Sequence, residues 1–343
     1  MGFENCYYKH VKTDWYDCVT TISDGDTQCR YAYTTTRLVR ECTSSTAYAA
    51  NTDDTEPRAK KDSDIPVLLP SLTRVDRIIK LLECDSLVFL KNFQGDLQNW
   101  TGLTQHTLSQ GLKNYLSSVG GFQQTLPNAR GPIANLDEYS VNISNLSIPP
   151  EALLDHIRRN LNDFIDTSIS SFDPYPGIDN SAWNTSSPIG TMFSIQFKDP
   201  TALNTGINPV DGTVITSYSS AEKWIFTTSW TPEDNHHPVS GHREFGFTRN
   251  NNGTVTFYTR GVDRITTQFF ATANFITSAL PGSRRGAIFD GGDLLWRSFQ
   301  KKVNQYVKSI GGNSSIEDPK VNGIDWDLVS DMLLGRVEIP DCE

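Results

Sequence analysis

No run of eighteen apolar residues occurs in this sequence, so no membrane-spanning helix is written in it. There is no CxxC pair, which excludes a zinc ribbon and a thioredoxin-like redox motif. HExxH, G-x-S-x-G, the P-loop and the dinucleotide-binding glycine pattern are all missing, despite 24 glycines. No cofactor is therefore expected. Hydrophobic residues are few at 37%, while charged residues stand at an ordinary 20%. Ser, Thr, Asn and Gly fill the difference, which predicts many polar loops and strands. Cations are short as well: Lys+Arg 30 against Asp+Glu 40 gives a formal charge of −10 and a pI near 5.1. Such a surface repels nucleic-acid backbones, so nucleic acid is not an expected partner. The opening MGFENCYYKH has no apolar core of a secretory signal, and it departs from an acylation signal at Cys6. The closing PDCE is not a prenylation box. The expectation is a soluble protein, exported without a visible signal peptide.

What is present divides into four stretches. Residues 1–42 read as a small β hairpin unit bearing cysteines, with WYDCVTTI and TQCRYAYTTTRLVREC around the turn SDGD. Residues 43–64 are polar, mixed in charge and nearly free of large apolar groups, so they read as a linker. Residues 65–172 show helical spacing. LTRVDRIIKLLEC and TQHTLSQGLKNYLSSVGG carry apolar residues at three- and four-residue steps. PPEALLDHIRRNLNDFIDTSISSF adds Pro150 in the first turn and Leu154, Ile157, Leu161 and Phe164 as a stripe. From residue 173 the period changes to two. TMFSIQFK, GTVITSYSS, EKWIFTTSW, HREFGFTR and TVTFYTRGV are strand candidates, and DGGDLLWRSFQKKVNQYVKSIGG is a strong helix. The fold class expected is α+β: a helical N-terminal half, then an antiparallel β-sheet domain over 173–343 closed by a long C-terminal helix.

Six cysteines stand at 6, 18, 29, 42, 84 and 342. Cys18 and Cys29 flank a turn, and Cys6 and Cys42 lie almost symmetrically outside them. A nested hairpin would bring each pair together, which suits two disulfides in an oxidising compartment; the plain alternative is four ordinary thiols. Six N-x-Ser/Thr sequons discriminate nothing in a chain this rich in Asn, Ser and Thr.

The densest chemistry is EDNHHPVSGHREFGF, Glu233 to Phe247, with three of the six histidines inside seven residues. His236, His237 and His242 with Asp234 or Glu244 supply zinc-type ligands, but the spacing matches no ligand pattern, and a metal is not adopted. As acid–base machinery the candidates are His237, His242 and Glu244. The neighbouring strands GHREFGF and TVTFYTRGV read as a hairpin. A loop of two or four residues puts Arg243, Phe245, Phe247, Tyr258 and Arg260 on one face; an odd loop breaks that arrangement. Two guanidinium groups on an aromatic face need carboxylates, carbonyls or a bound anion.

Three functions follow from this. The first is an anionic or amphipathic small ligand held in the C-terminal sheet domain by Arg243, Arg260, Tyr258 and His237. The second is a structural or assembly protein with internally paired arginines, docking a protein partner through residues 65–172. The third is a metal-independent hydrolase or nuclease-like effector using the His237/His242 loop.

Overall fold

The computed structural model describes residues 4–20, 27–44, 100, 102–197, 211–267, 269–271, 274, 286–326 and 329–330. The expected linker 43–64 lies almost wholly outside the described residues, as do the expected helix over 72–84, Cys84 and Cys342. The chain divides into two compact units, Met1–Asn99 with Ile324–Glu343, and Trp100–Gly323.

In the first unit, β1 (Glu4–Thr20) and β2 (Thr27–Ser44) form a two-stranded antiparallel sheet. Its register sets Cys6 opposite Cys42 and Cys18 opposite Cys29. The cysteines are twelve positions apart on β1 (18 − 6) and thirteen on β2 (42 − 29). A one-residue bulge absorbs the difference: Trp15 pairs with Tyr33, Tyr16 pairs with Tyr31, and Ala32 is bypassed.

The second unit corrects the expected fold class. It is mostly one large antiparallel sheet with few helices, and its N-terminal part is not a helical half. Between residues 100 and 172 stand α1 (Gln110–Ser118), β3 (Phe122–Gln123), β4 (Ile133–Ser144), α2 (Pro150–Arg159) and the start of β5 (Ser170–Pro174). The helix expected to run from Pro150 to Phe172 stops after ten residues. At its end the backbone N–H (3.2 Å) and side-chain Nδ2 (2.8 Å) of Asn160 both donate to the His156 carbonyl. The stripe residues Leu161 and Phe164 are still buried, in a 3-10 turn.

The strands that follow include β6 (Met192–Phe197), β7 (Asp211–Ser219), β8 (Lys223–Trp230), β9 (Val239–Arg249), β10 (Val255–Ile265) and β11 (Asn313–Ile316). The sheet runs β11-β4-β10-β9-β8-β7-β6-β5, with β3 pairing β8. The long helix is there as α3 (Ala287–Ser309), but it does not close the sheet: the sheet is open, and the helix lies against one face. Gly286 (φ +94°) leads into α3, where the Asn274 side chain accepts from Ile288 N (3.1 Å). Gly311 (φ +86°) and Gly312 end it by donating to the Lys308 and Val307 carbonyls.

The inner face packs Phe172, Phe193, Ile195, Val214, Trp224, Phe226, Phe245 and Phe257 against Leu295, Trp296, Phe299 and Val303 of α3. The outer face is partly covered by α1 and the residues just before it, where Leu108 and Leu116 meet Met192 and Ile215. Phe245, fully buried, joins the layers. Its ring stacks on Trp224 (4.5 Å, 7°) and meets Trp296 and Phe299 edge-on at 5.6 and 5.4 Å. Phe245→Ala is expected to lower unfolding free energy by about 3–5 kcal/mol, the usual cost of emptying a core aromatic site. Urea unfolding of both proteins checks this, and a loss under 1 kcal/mol would contradict the packing described.

Candidate functional site

The β9–β10 hairpin decides where the chemistry goes. Asn250 N donates to Thr254 O (2.8 Å), leaving Asn251, Asn252 and Gly253 to cross over, with Gly253 at φ +80°. Three is odd. Arg243 therefore pairs with Gly261 and Arg260 with Glu244, so the two arginines lie on opposite faces of the sheet. The shared face expected for Arg243, Phe245, Phe247, Tyr258 and Arg260 does not form. Arg243, Phe245 and Phe247 face α3, while Tyr258 and Arg260 join His242 and Glu244 on the other side.

On the inner face, a cavity of about 100 Å³ lies between the sheet and the start of α3. Its walls are mainly apolar: Phe172, Ile195, Phe197, Val214 and Phe226 from the sheet, and Phe289, Leu295 and Trp296 from the helix. Its polar end holds Arg243, Asp137, Asn135 and Asp263, and His237, in the loop before β9, also lines it. Arg243 Nη2 donates to Asp137 Oδ1 (2.7 Å) and lies 3.9 Å from Asp263 Oδ2. The guanidinium also stacks on Trp296, with Cζ 4.2 Å from the ring centroid. Its Nη1 is buried and has no hydrogen-bond partner among the described residues. Gly261 makes room for the arrangement: a Cβ there would overlap Arg243 Nη2.

On the outer face, Glu244 is the centre of a satisfied ionic network. Lys223 Nζ (2.8 Å), Tyr258 OH (2.8 Å) and Arg260 Nε (3.1 Å) all donate to its carboxylate. Arg260 is also 3.8 Å from Glu138 and lies over the Tyr258 ring at 3.9 Å. Burial pushes the Tyr258 hydroxyl well above its ordinary range.

The three histidines of the loop separate. His236 contacts the Phe122–Trp230 aromatic stack. His237 and His242 are both buried. His242 Nδ1 meets Thr227 Oγ1 (2.9 Å), Thr227 donates to Ser217 Oγ (2.8 Å), and Ser217 meets His106 Nε2 (2.8 Å). Ser217 sits at a bulge in β7. This chain was not foreseen, because His106 is remote in sequence and nothing around it signals a role. Among the described residues His242 has no hydrogen bond to Glu244, Tyr258 or an arginine. Among the described residues no group of three His, Cys, Asp or Glu side chains could hold a metal ion.

No protein-family model and no curated protein matches the chain. Among solved structures, it is similar to the di-domain ARO/CYC StfQ from the steffimycin biosynthetic pathway, at 9% identity and a TM-score of 0.31. That likeness covers 51% of this chain and 51% of the other, so it spans about half of each. A conserved protein from Geobacillus kaustophilus gives 8% identity and a TM-score of 0.31 over 52% of this chain and 98% of that one. Ara h 8.0201 gives 10% identity and 0.30 over 51% and 99%. Similarities this low assign neither a family nor a site residue. Among the described residues no helix is long and apolar enough to cross a membrane.

Burial holds the His237 imidazole down at about 4 and, with His106 adding to the effect, that of His242 at about 3, against an ordinary 6.5. Both are neutral in the native protein near pH 7. The unfolded chain takes up protons as pH falls through 6.5, and the native state does not. Stability from this source is full above about 6.5 and is lost as pH falls toward 4 and 3. Between pH 7.5 and 4.5 each histidine removes roughly 2–3 kcal/mol. Chemical denaturation of wild type and His242→Gln at the two pH values tests this; the variant's loss is expected to be smaller by that amount.

Proposed function

We propose that the sheet domain binds a small amphipathic molecule in the cavity between the sheet and α3. The observation that carries this reading is a partly open, mainly apolar cavity with one guanidinium N–H₂ at its polar end that has no acceptor among the described residues. A buried donor left unsatisfied costs about 1–3 kcal/mol, which a ligand carbonyl or hydroxyl oxygen would recover. An anion fits less well. Arg243 already faces Asp137 and Asp263, so the polar end carries one positive and two negative groups. The amphipathic part of the expectation is kept and the anionic part is dropped.

In this proposal Arg243 and His237 belong to the binding site, while Arg260, Tyr258 and Glu244 hold the outer face together through their mutual ion pairs. The assembly reading draws its support from that second group. Export in an oxidised state is part of the same proposal, supported by the paired positions of Cys6 with Cys42 and Cys18 with Cys29. A non-reducing peptide map is expected to recover those two pairings; six alkylatable thiols in protein purified without reductant would remove this part.

Arg243→Met is a poor test of binding, because it strands Asp137 and should cost about 3–5 kcal/mol of stability by itself. Gly292 on α3 is better. It lines the cavity, and a Cβ added there meets nothing within 4 Å. Gly292→Ala is expected to stabilise the protein by about 0.5–1 kcal/mol through helix propensity. Gly292→Leu should fill the cavity and abolish binding of acetophenone, measured by titration calorimetry, without lowering the unfolding midpoint. Undiminished acetophenone binding in Gly292→Leu would show that the cavity is not the site.

A further inference from the structure

The inner cavity suits an anion poorly, but a second recess of the same unit carries the opposite balance of charge. This groove, of about 340 Å³, opens beside β3 and shares no lining residue with the cavity. No Asp or Glu lines it, in a chain whose formal charge is −10. Part of its wall is aromatic. Phe122 pairs with Trp230 across β3 and β8, and the two rings stack at 5.1 Å and 14°. Gly121 permits this approach, since a Cβ there would come within 2.7 Å of the Trp230 carbonyl oxygen. His236 meets both rings edge-on. Although stacked, Phe122 stays 51% exposed, which leaves ring surface to water at the groove.

The polar part comes from the loop after β3, and that loop is held firmly. The buried Arg264 guanidinium donates to Leu126 O (2.6 Å) and Gly131 O (2.7 Å), and Arg130 N donates to Ile265 O (3.1 Å). The buried Gln124 side chain accepts from His237 N (3.0 Å) and donates to His237 O (3.1 Å), Val239 O (3.3 Å) and Thr266 Oγ1 (3.0 Å). Arg130 itself is exposed, and among the described residues its guanidinium has no hydrogen bond and no ion pair. The side chains of Thr125 and Asn128, which also line the groove, are equally uncommitted. Burial lowers the His236 imidazole from its ordinary 6.5, so near pH 7 Arg130 is the one positive charge among the lining residues. The frame is fixed and the groups that can meet a ligand are free.

We propose that this groove is a second binding site, for a small aromatic carboxylate whose ring lies against Phe122 and whose carboxylate is held by Arg130. A guanidinium presents a planar fork that a carboxylate matches with two parallel hydrogen bonds. Arg130 turns onto the anion without first leaving another partner. One guanidinium balances one carboxylate, whereas a phosphate monoester carries up to two negative charges and would leave an excess in an already acidic chain. A neutral ring would use Phe122 and leave Arg130 idle. The site stands or falls independently of the cavity.

The test titrates 2-naphthoate and its uncharged counterpart 2-naphthamide into the full chain by calorimetry. At low salt naphthoate is expected to bind about fivefold more tightly, the upper worth of an exposed ion pair, and the difference should shrink as salt is raised. Arg130→Gln breaks no side-chain contact of the fold, so it should abolish the difference at an unchanged unfolding midpoint, while Arg130→Lys should keep part of it. Phe122→Leu should weaken both compounds alike. Gly292→Leu, which fills the cavity, should leave naphthoate binding as in wild type. Loss of naphthoate binding in Gly292→Leu would put the compound in the cavity and overturn the groove site. Absence of naphthoate binding, equal affinity for the two compounds, or a difference that survives Arg130→Gln would overturn the proposal and leave the cavity reading standing.

Discussion

The guanidinium of Arg243, buried where the sheet meets α3, constrains more of this structure than any other group. A charge in that position needs a carboxylate within reach and a face to lie on, or it costs several kcal/mol. Asp137 on β4, Asp263 on β10 and the Trp296 ring on α3 supply these. Three strands and the helix are thereby fixed around one side chain. Gly261 follows from the same need, because any larger residue would occupy the space of the guanidinium. So does the burial of polar Asn135, whose amide donates to Asp137 (3.0 Å). The cavity is the space this arrangement leaves between the polar group and the aromatic wall.

That demand also explains what the sequence conceals. β9, β10 and α3 are legible because their apolar residues keep the periods of two and of three to four. β4 is not. Its inner face reads Asn135, Asp137, Tyr139, Val141 and Ile143, so the first two positions are polar where alternation calls for apolar groups. They are polar because they serve Arg243, and that partner is more than a hundred positions away. The outer-face position Glu138 is masked in the same way by Arg260 and Lys320. A strand whose charged residues are met by distant cations looks, locally, like a loop. The early end of α2 was hidden because the apolar stripe continues past it, with Leu161 and Phe164 buried in a 3-10 turn beyond Asn160.

Of the candidate site, the residue types were legible and their grouping was not. The loop EDNHHPVSGH does bring histidine to the cavity, but the placing of His237 depends on Gln124, Gly212 and the fold of β3, none of which carries a signal of its own. A glutamine that makes four hydrogen bonds is indistinguishable in sequence from one on the surface. Close packing against a glycine is equally silent unless the strand carrying it has been placed. Chemistry could be read residue by residue, whereas assembly required the pairing of strands.

The parity of one loop shows how narrow that requirement is. With two or four residues between β9 and β10, Arg243 and Arg260 would share the inner face, Asp263 would turn outward with the alternation, and two guanidinium groups would compete for Asp137. The inner face would then hold an excess of positive charge and favour an anion. The three-residue crossover sends Arg260 outward, where Glu244 and Glu138 meet it, and leaves Arg243 with two carboxylates of its own. The inner charge balance turns from cationic to slightly anionic by the count of residues in a turn. A ligand for such a cavity is held by shape, aromatic contact and neutral hydrogen bonds. Among the polar groups of its wall, Arg243 keeps one guanidinium N–H₂ without a partner among the described residues.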